Sequence, residues 1–173
     1  MVKVNFEHIG CRIRCAHESV YGLNKQISFA KHLDISPSML TLILNGDIES
    51  SASRFFTICN YLRCKPSYLI TGADQDVHAD ENIDINREFD NGDIRRVWQM
   101  IRKNAFPNLN REKVKVGELA DAFGVSDAYI TYRDYEYSRP RQVTISLVDI
   151  VKLCEVYNIP IDAIWCYLNG INF

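Results

Sequence analysis

Apolar residues recur at helical spacing in two series along this chain, and the two series resemble each other. Residues 29–41 read FAKHLDISPSMLT, and residues 119–131, ninety positions later, read LADAFGVSDAYIT. Each copy has an apolar residue, Ala, two variable residues, an apolar residue, a turn residue, an apolar residue and Ser, followed by an apolar residue and Thr at helical spacing. The pattern predicts two short helices joined by a turn, twice in one chain.

Individual residues in each copy suit such a turn. Ala30 and Ala120 lie where the first helix must approach the second closely, since a larger side chain would push them apart. Ser36 and Ser126 are good N-caps for the second helix. Gly124 tolerates the positive φ that the turn needs. Helices held in this way cross at roughly 90–120°, and we therefore predict two helix-turn-helix units.

The pattern extends beyond the two units. An amphipathic helix is predicted before each of them, over 6–21 and 94–103. After them, residues 58–72 correspond to 153–165 at an offset of ninety-five, so the second copy has five extra residues after its second motif helix. Each half is then a bundle of about five helices, and the predicted fold class is all-α.

These residues resemble the lambda-repressor and Cro type (XRE-like) of helix-turn-helix domain, found in phage repressors and bacterial regulators. In the first copy the resemblance includes Gln26 at the start of a helix, the sequence LNG at 44–46 and the closing PSYLITG at 66–72. The second copy is more divergent. The resemblance implies two tandem five-helix domains, 1–72 and 94–173, joined by an acidic linker, 73–93.

The same resemblance implies sequence-specific binding of double-stranded DNA, usually as a homodimer, and repression of transcription. We expect a phage or mobile-element repressor that acts at an operator near its own gene, with a protein antagonist as a further possible partner. The rival hypothesis is a protein-interaction regulator, an antirepressor or antitoxin, that uses the same fold to bind a protein.

Helix geometry indicates which residues would contact DNA, because a recognition helix enters the major groove with its N-terminal residues near the base edges. The expected base contacts are Pro37, Ser38, Thr41, Leu42, Asp127, Ala128, Thr131 and Tyr132. The expected phosphate contacts are Lys25, Gln26, Lys31, Asn45, Arg54, Lys115, Arg133, Arg139 and Arg141. Ile43 and Leu44 are instead assigned to a core or dimer contact.

The second copy gives a mixed signal. Asp127 would be repelled by phosphates unless it accepts a hydrogen bond from a cytosine amino group. The second half could therefore be a second DNA reader, or a domain for self-association or partner contact. If both halves read DNA, one chain could span adjacent half-sites. The apolar tail, 165–173, is expected to pack in a dimer contact, with docking inside the chain as the alternative.

Charge is distributed unevenly. The chain has a net charge of −2, which divides into +3 for residues 1–72, −7 for 73–93 and +2 for 94–173. We expect the acidic segment to be a solvated tether. Alternatively, it competes with phosphates for the basic faces and weakens non-specific binding.

Other functional classes have little support. The six cysteines contain no C-x-x-C pair and are expected to be buried free thiols, although a zinc site from Cys11, Cys15 and His8 or His17 is an alternative. No glycine-rich phosphate loop, HExxH or nucleophile elbow occurs, so we expect no enzyme, cofactor or metal. No run of eighteen apolar residues or signal-peptide core occurs, so the expected location is the cytoplasm, without membrane contact.

Overall fold

The computed structural model describes residues 3–22, 25–73, 83–107, 109, 112–136 and 144–171. Within these ranges the protein is all-α, as predicted. The ten helices there are α1 (Phe6–Tyr21), α2 (Gln26–His32), α3 (Pro37–Asn45), α4 (Ala52–Leu62), α5 (Pro66–Thr71), α6 (Asn91–Arg102), α7 (Val116–Phe123), α8 (Asp127–Glu136), α9 (Leu147–Tyr157) and α10 (Ile161–Leu168). In this part of the chain no helix combines the length and the apolar character needed to cross a membrane.

The helices repeat in order and in register. Helices α6 to α10 begin 85, 90, 90, 95 and 95 residues after α1 to α5, respectively. The ends repeat as well: the N-cap hydroxyls of Ser51 and Ser146 accept from the backbone N–H of Arg54 and Asp149 at the starts of α4 and α9. We refer to α1–α5 as the first half and to α6–α10 as the second half.

The halves are joined at equivalent positions. Ser51 and Ser146, related by the offset of ninety-five, form an isolated antiparallel bridge. The Ala52 N–H donates to the Ile145 carbonyl at 3.0 Å, and the Leu147 N–H donates to the Ser50 carbonyl at 3.4 Å. The two bonds are copies of each other, because each joins a residue at the start of one helix to the partner half's preceding loop. A local twofold axis therefore passes between Ser51 and Ser146.

A second equivalent pair lies where α5 and α10 begin. The Asp162 carboxylate accepts from the Ser67 backbone N–H at 2.9 Å and from its hydroxyl at 2.6 Å. Residues 67 and 162 are again ninety-five apart. Two helix N-termini brought together place partial positive charges side by side, and a carboxylate between them offsets that repulsion.

We expect Asp162→Ala to lower the free energy of unfolding by about 1–2 kcal/mol, because two charge-assisted hydrogen bonds between the halves are lost. Urea titration followed by circular dichroism measures this difference. Asp121→Ala, at an exposed carboxylate on α7, is the matched control and should change stability by less than about 0.5 kcal/mol. Equal losses in both variants would show that the Asp162 contacts do not hold the halves together.

Buried Asn60 on α4 links the first half to the C-terminal helix. Its side-chain oxygen accepts from the Trp165 indole N–H at 2.6 Å and from the Asn169 amide at 3.0 Å. Its amide donates to the Arg87 carbonyl at 3.1 Å. The polar atoms of this fully buried side chain are thereby satisfied by groups from the second half and from the segment that precedes it.

The C-terminal tail docks inside the chain rather than on a second copy. Trp165 and Leu168 are buried, and Ile171 is half-buried against the core. The expected dimer contact is therefore wrong for Trp165 and Leu168, and the docking alternative describes them. These residues are buried because α10 packs against α5 and contacts Asn60 of α4. The apolar pattern of the tail alone did not indicate this packing. Residues 172 and 173 lie outside the described ranges.

The end of the acidic segment is also structured. Ile83 and Phe89 are buried, and the Phe89 N–H donates to the Thr57 hydroxyl of α4 at 3.0 Å. Helix α6 already begins at Asn91, inside the predicted linker, after a capping box of Asp90 and Asp93. The expectation of a solvated tether is thus wrong for Ile83, Phe89 and the helical residues 91–93, while residues 74–82 lie outside the described ranges.

Candidate nucleic-acid interface

The first candidate site is built from α2, α3 and the turn between them, which we call the first unit (residues 26–45). The Ile35 N–H donates to the Ala30 carbonyl at 3.0 Å, and Asp34 takes a positive φ of 49° in the turn. Ser36 caps α3 by accepting from the Met39 N–H at 3.1 Å, and Pro37 follows as the first helical residue. The expected turn chemistry is present in each of these residues.

Close backbone packing against α1 fixes the inner face of α3. A Cβ at Gly10 would lie 2.3 Å from the carbonyl oxygen of Leu44 and 2.8 Å from that of Ile43. Only glycine allows this approach. Leu40, Ile43 and Leu44 are buried on the same side of α3, so of the two alternatives for Ile43 and Leu44 the core contact is the correct one.

The outer face of α3 is exposed. It carries all four expected base contacts of this unit and Asn45, namely Pro37, Ser38, Thr41, Leu42 and Asn45. The Thr41 hydroxyl donates to the Pro37 carbonyl at 3.0 Å, which leaves its oxygen lone pairs to accept from a base. Met39 is 37% exposed and was missed in the sequence, although its place in the first turn after the cap could have indicated it.

Cationic and polar side chains flank this face. Lys25, Gln26 and Lys31 are exposed, whereas Arg54 is half-buried at the start of α4. Asn45 is engaged on one side, because its amide oxygen accepts from Arg14 at 3.1 Å. Ile27 on α2 is 73% exposed and was also missed. Lys25, Gln26 and Lys31 are accessible to phosphates, and their role as phosphate contacts stays a prediction.

Behind the first unit lies a cluster of aromatic rings. The imidazole of His17 on α1 stacks on Phe29 with 4.6 Å between ring centroids, and His17 is 3% exposed. Its Nε2 has no hydrogen-bond partner among the described residues. Burial lowers the pKa of His17 below its ordinary 6.5, with a smaller opposing effect from Glu18.

The shifted pKa of His17 makes stability depend on pH. A group whose pKa is lowered in the folded state contributes stability above its unfolded pKa, and that contribution is lost as the pH falls through the folded pKa. We expect the free energy of unfolding to be lower at about pH 5 than at about pH 7.5, and His17→Phe to weaken this dependence. Urea titrations at both pH values test it, with His8→Phe, at an exposed histidine, as control. An unaltered pH dependence in His17→Phe would exclude His17 as its source.

The second candidate site, the second unit (residues 116–136), repeats the backbone of the first. The Val125 N–H donates to the Ala120 carbonyl at 3.0 Å, as at the equivalent positions of the first unit. Gly124 takes a φ of 67° in the turn, and Leu119, Ala120 and Phe123 are buried. The turn is thus the same, although most of the side chains differ.

The outer face of α8 differs in charge from that of α3. Its expected base contacts, Asp127, Ala128, Thr131 and Tyr132, are all exposed, and Tyr135 is 50% exposed beside them. Glu118 and Asp121 on α7 are exposed as well, whereas α3 contains no charged residue. Carboxylates repel phosphates, so the second unit is less suited to DNA on charge alone.

One expected phosphate contact of the second unit is directed inward instead. Arg133 pairs with the Asp149 carboxylate at 3.2 Å, donates to the Tyr129 hydroxyl and lies 4.7 Å from the centroid of the Tyr129 ring. Burial raises the pKa of Asp149, and the Arg133 charge opposes that rise. A phosphate could bind Arg133 only after this pair had opened, and we do not retain Arg133 as a contact. Lys115 is exposed, and Arg139 and Arg141 lie outside the described residues.

The buried guanidinium of Arg102 holds α8 to the rest of the second half. Arg102 on α6 donates to the Asp134 carboxylate at 2.8–3.1 Å, to the Val114 carbonyl at 3.0 Å and to the Tyr157 hydroxyl at 2.8 Å. The Trp98 indole N–H also donates to Asp134, at 2.9 Å. Burial alone would lower the pKa of Arg102, but the Asp134 carboxylate outweighs it and the net shift is upward.

In the second half, these contacts of Arg102 and Asp134, which we call the polar hub, take the place of the close backbone contact between α1 and α3. Arg95 stands at the position equivalent to Gly10, so α6 cannot approach α8 as α1 approaches α3. An open cleft of about 500 Å³ lies beside the hub, lined by Trp98, Arg102 and Asp134 together with three lysines, Lys103, Lys113 and Lys115. The position of α8 therefore depends on an ion pair, whereas that of α3 depends on backbone contact.

Three of the six cysteines are buried, two are exposed and Cys166 is half-buried. Burial raises the pKa of the thiols of Cys59, Cys154 and Cys64, to about 11 for Cys64. Cys11 and Cys15 are exposed on α1, so the expectation of buried thiols is wrong for these two. The imidazole of His17 is buried on Phe29 and does not join them. Among the described residues, no group of three or more His, Cys, Asp or Glu could hold a metal ion.

Comparison of the chain with family models, curated proteins and solved structures gave no match. The two units therefore have to be interpreted from their own geometry.

Proposed function

We propose that this protein is a sequence-specific regulator that binds double-stranded DNA through α3. One observation carries the proposal: α3 is capped and packed on its inner face, while its outer face presents exposed Ser38, Thr41 and Leu42 over the first turns. A helix held in this way can enter a major groove without rearrangement. The corresponding proposal for the fold is two lambda-repressor-like helix-turn-helix domains in tandem.

The exposed side chains suit base edges in the major groove. The hydroxyls of Ser38 and Thr41 can bond to several bases, and Leu42 can contact a thymine methyl group. Lys25, Gln26, Lys31 and Asn45 would position the helix by contacting phosphates. In the biological role that we propose, the protein is a cytoplasmic repressor from a phage or mobile element that acts near its own gene.

The test measures sequence preference together with its loss. Purified protein selects duplexes from a random library, and the affinity for the enriched duplex is then measured by fluorescence anisotropy. Ser38→Ala/Thr41→Val should weaken binding about 10–100-fold, because two base contacts are lost. The control Ser19→Ala/Thr71→Val makes the same changes at exposed residues outside the first unit. Thr71 matches Thr41 because its hydroxyl also donates to the carbonyl four residues earlier. Equal affinities for the two double variants would refute base reading by α3.

A second candidate function rests on the acidic and aromatic face of the second unit. Exposed Glu118, Asp121 and Asp127 beside exposed Tyr132 and Tyr135 would suit a basic protein surface. This arrangement favours a protein-interaction regulator of the antirepressor or antitoxin type.

Removing charge separates the two functions. If the second unit lies on DNA, Asp121→Asn/Asp127→Asn should raise the affinity for random duplex about tenfold and steepen its salt dependence. If the face is turned to a protein, both quantities stay unchanged. Asp47→Asn/Glu49→Gln, at two exposed carboxylates after α3, serves as a control for general charge effects.

A further inference from the structure

The contacts between the halves have the symmetry of a dimer inside one chain. Ser51 meets Ser146 and Ser67 meets Asp162, and each pair joins equivalent positions ninety-five residues apart. In a twofold-symmetric dimer, residues close to the axis meet their own equivalents. The paired bonds of Ala52 with Ile145 and of Leu147 with Ser50 follow the same rule.

A twofold axis also constrains α3 and α8. Rotation about an axis leaves the position along that axis unchanged, so the local axis at Ser51 and Ser146, extended to the motif helices, would place α3 and α8 at one level, on opposite sides. Pairs of recognition helices in dimeric helix-turn-helix proteins meet successive major grooves in this way, because duplex DNA has twofold axes of its own perpendicular to the helix.

We infer that one chain is the complete DNA-binding unit, and that its operator consists of two unequal half-sites at a fixed spacing. The inference rests on the proposed function. It replaces the homodimer expected from the sequence, since the second half takes the place that a second copy would occupy.

The half-sites are unequal because the outer faces differ. At equivalent positions, α3 presents Pro37, Ser38, Thr41 and Leu42, whereas α8 presents Asp127, Ala128, Thr131 and Tyr132. Only the threonine is shared. Different sets of donors, acceptors and apolar groups favour different base pairs, and a palindromic operator is therefore not expected.

The spacing is fixed because the halves share a buried interface rather than a free tether. Asn60 of α4 bonds to Trp165 and Asn169 of the second half, and the core runs without interruption through both halves. Binding at one half-site then holds the other unit at a defined place along the duplex. Two linked contacts of this kind can raise affinity by about 10²–10⁴ only where both sites are reached together.

The first test is selection from a random duplex library with the full chain, followed by mass photometry of the complex. We expect an enriched motif of two different blocks, centred about one helical turn (~10 base pairs) apart, with one chain per duplex. Inserting about five base pairs between the blocks should lower the affinity at least tenfold, whereas a change of sequence outside the blocks should not.

Variants then assign the blocks. Thr131→Val/Tyr132→Ala should remove preference in one block only, and Ser38→Ala/Thr41→Val in the other only. A palindromic motif occupied by two chains would overturn the inference. A motif with only one block, or two blocks whose spacing can change without loss of affinity, would overturn it as well. Those results leave DNA reading by α3 intact. Failure to enrich any sequence would instead overturn the proposed function itself.

Discussion

Arg102→Met is expected to lower the free energy of unfolding by about 3 kcal/mol, because the substitution leaves the half-buried Asp134 carboxylate without its cation. The Arg102 side chain is 8% exposed and that of Asp134 is 29% exposed. The substitution also removes the donors to the Val114 carbonyl and the Tyr157 hydroxyl. Since folded domains are stable by only about 5–15 kcal/mol, this loss is a large share of the total.

The double variant Arg102→Met/Asp134→Asn provides the control for the ion pair. The asparagine oxygen can still accept from Trp98, but no unpaired negative charge remains. We therefore expect the double variant to be more stable than Arg102→Met alone when both are titrated with urea. If Asp134→Asn lowers the free energy of unfolding further instead, the unpaired charge of Asp134 is not the cause of the loss in Arg102→Met.

Gly10→Ala is the second substitution with a large expected effect, a loss of about 3 kcal/mol in the free energy of unfolding. The new Cβ would lie 2.3 Å from a backbone oxygen of α3, and backbone atoms cannot move aside as a flexible side chain does. Helix α1 has to separate from α3. The outer face of α3 would move as well, so we expect weaker binding to the selected duplex.

Gly117→Ala is the matched control because Gly117 also lies within a helix. A Cβ there would meet only the carboxylate of Asp127, at 3.7 Å, which is ordinary contact. Alanine is the better helix former, and the control should be at least as stable as the parent. A Gly10→Ala protein as stable as the parent would show that α1 and α3 are not in close backbone contact.

Local features of the fold could be predicted from the sequence because they depend on neighbouring residues. The caps at Ser36 and Ser126, the turn at Gly124 and the core positions Ala30 and Ala120 all follow from side-chain size, hydrogen bonding and backbone conformation within a few residues. The ninety-residue offset then extends the same argument from the first unit to the second.

Contacts between distant segments could not be predicted in the same way. Asn60 is one of several polar residues in the sequence of α4, and only the fold brings it to Trp165 and Asn169. Arg133 was assigned to phosphate because it follows the expected base contacts along α8, but the Asp149 carboxylate, sixteen residues away, holds it inside. Gly10 gave a usable signal, since an isolated glycine in a helical pattern often marks close packing.

Net charge was a weak guide to the interface. Residues 94–173 have a net charge of +2, but the structure pairs Arg133 with Asp149 and Arg102 with Asp134 and leaves Glu118, Asp121 and Asp127 exposed. A charge count cannot separate ions whose charge is offset by a close partner from carboxylates that face solvent and repel a nearby phosphate. This difference is the reason for assigning the principal reading role to α3.

The most direct test of the central claim, that this chain recognises duplex sequence, is a pair of affinities measured at physiological salt. The dissociation constant of the full chain is determined for the selected duplex and for a shuffled duplex of the same length and composition. The expected ratio is at least about 10³, as for other sequence-specific DNA-binding proteins. Equal dissociation constants for the two duplexes would contradict the claim.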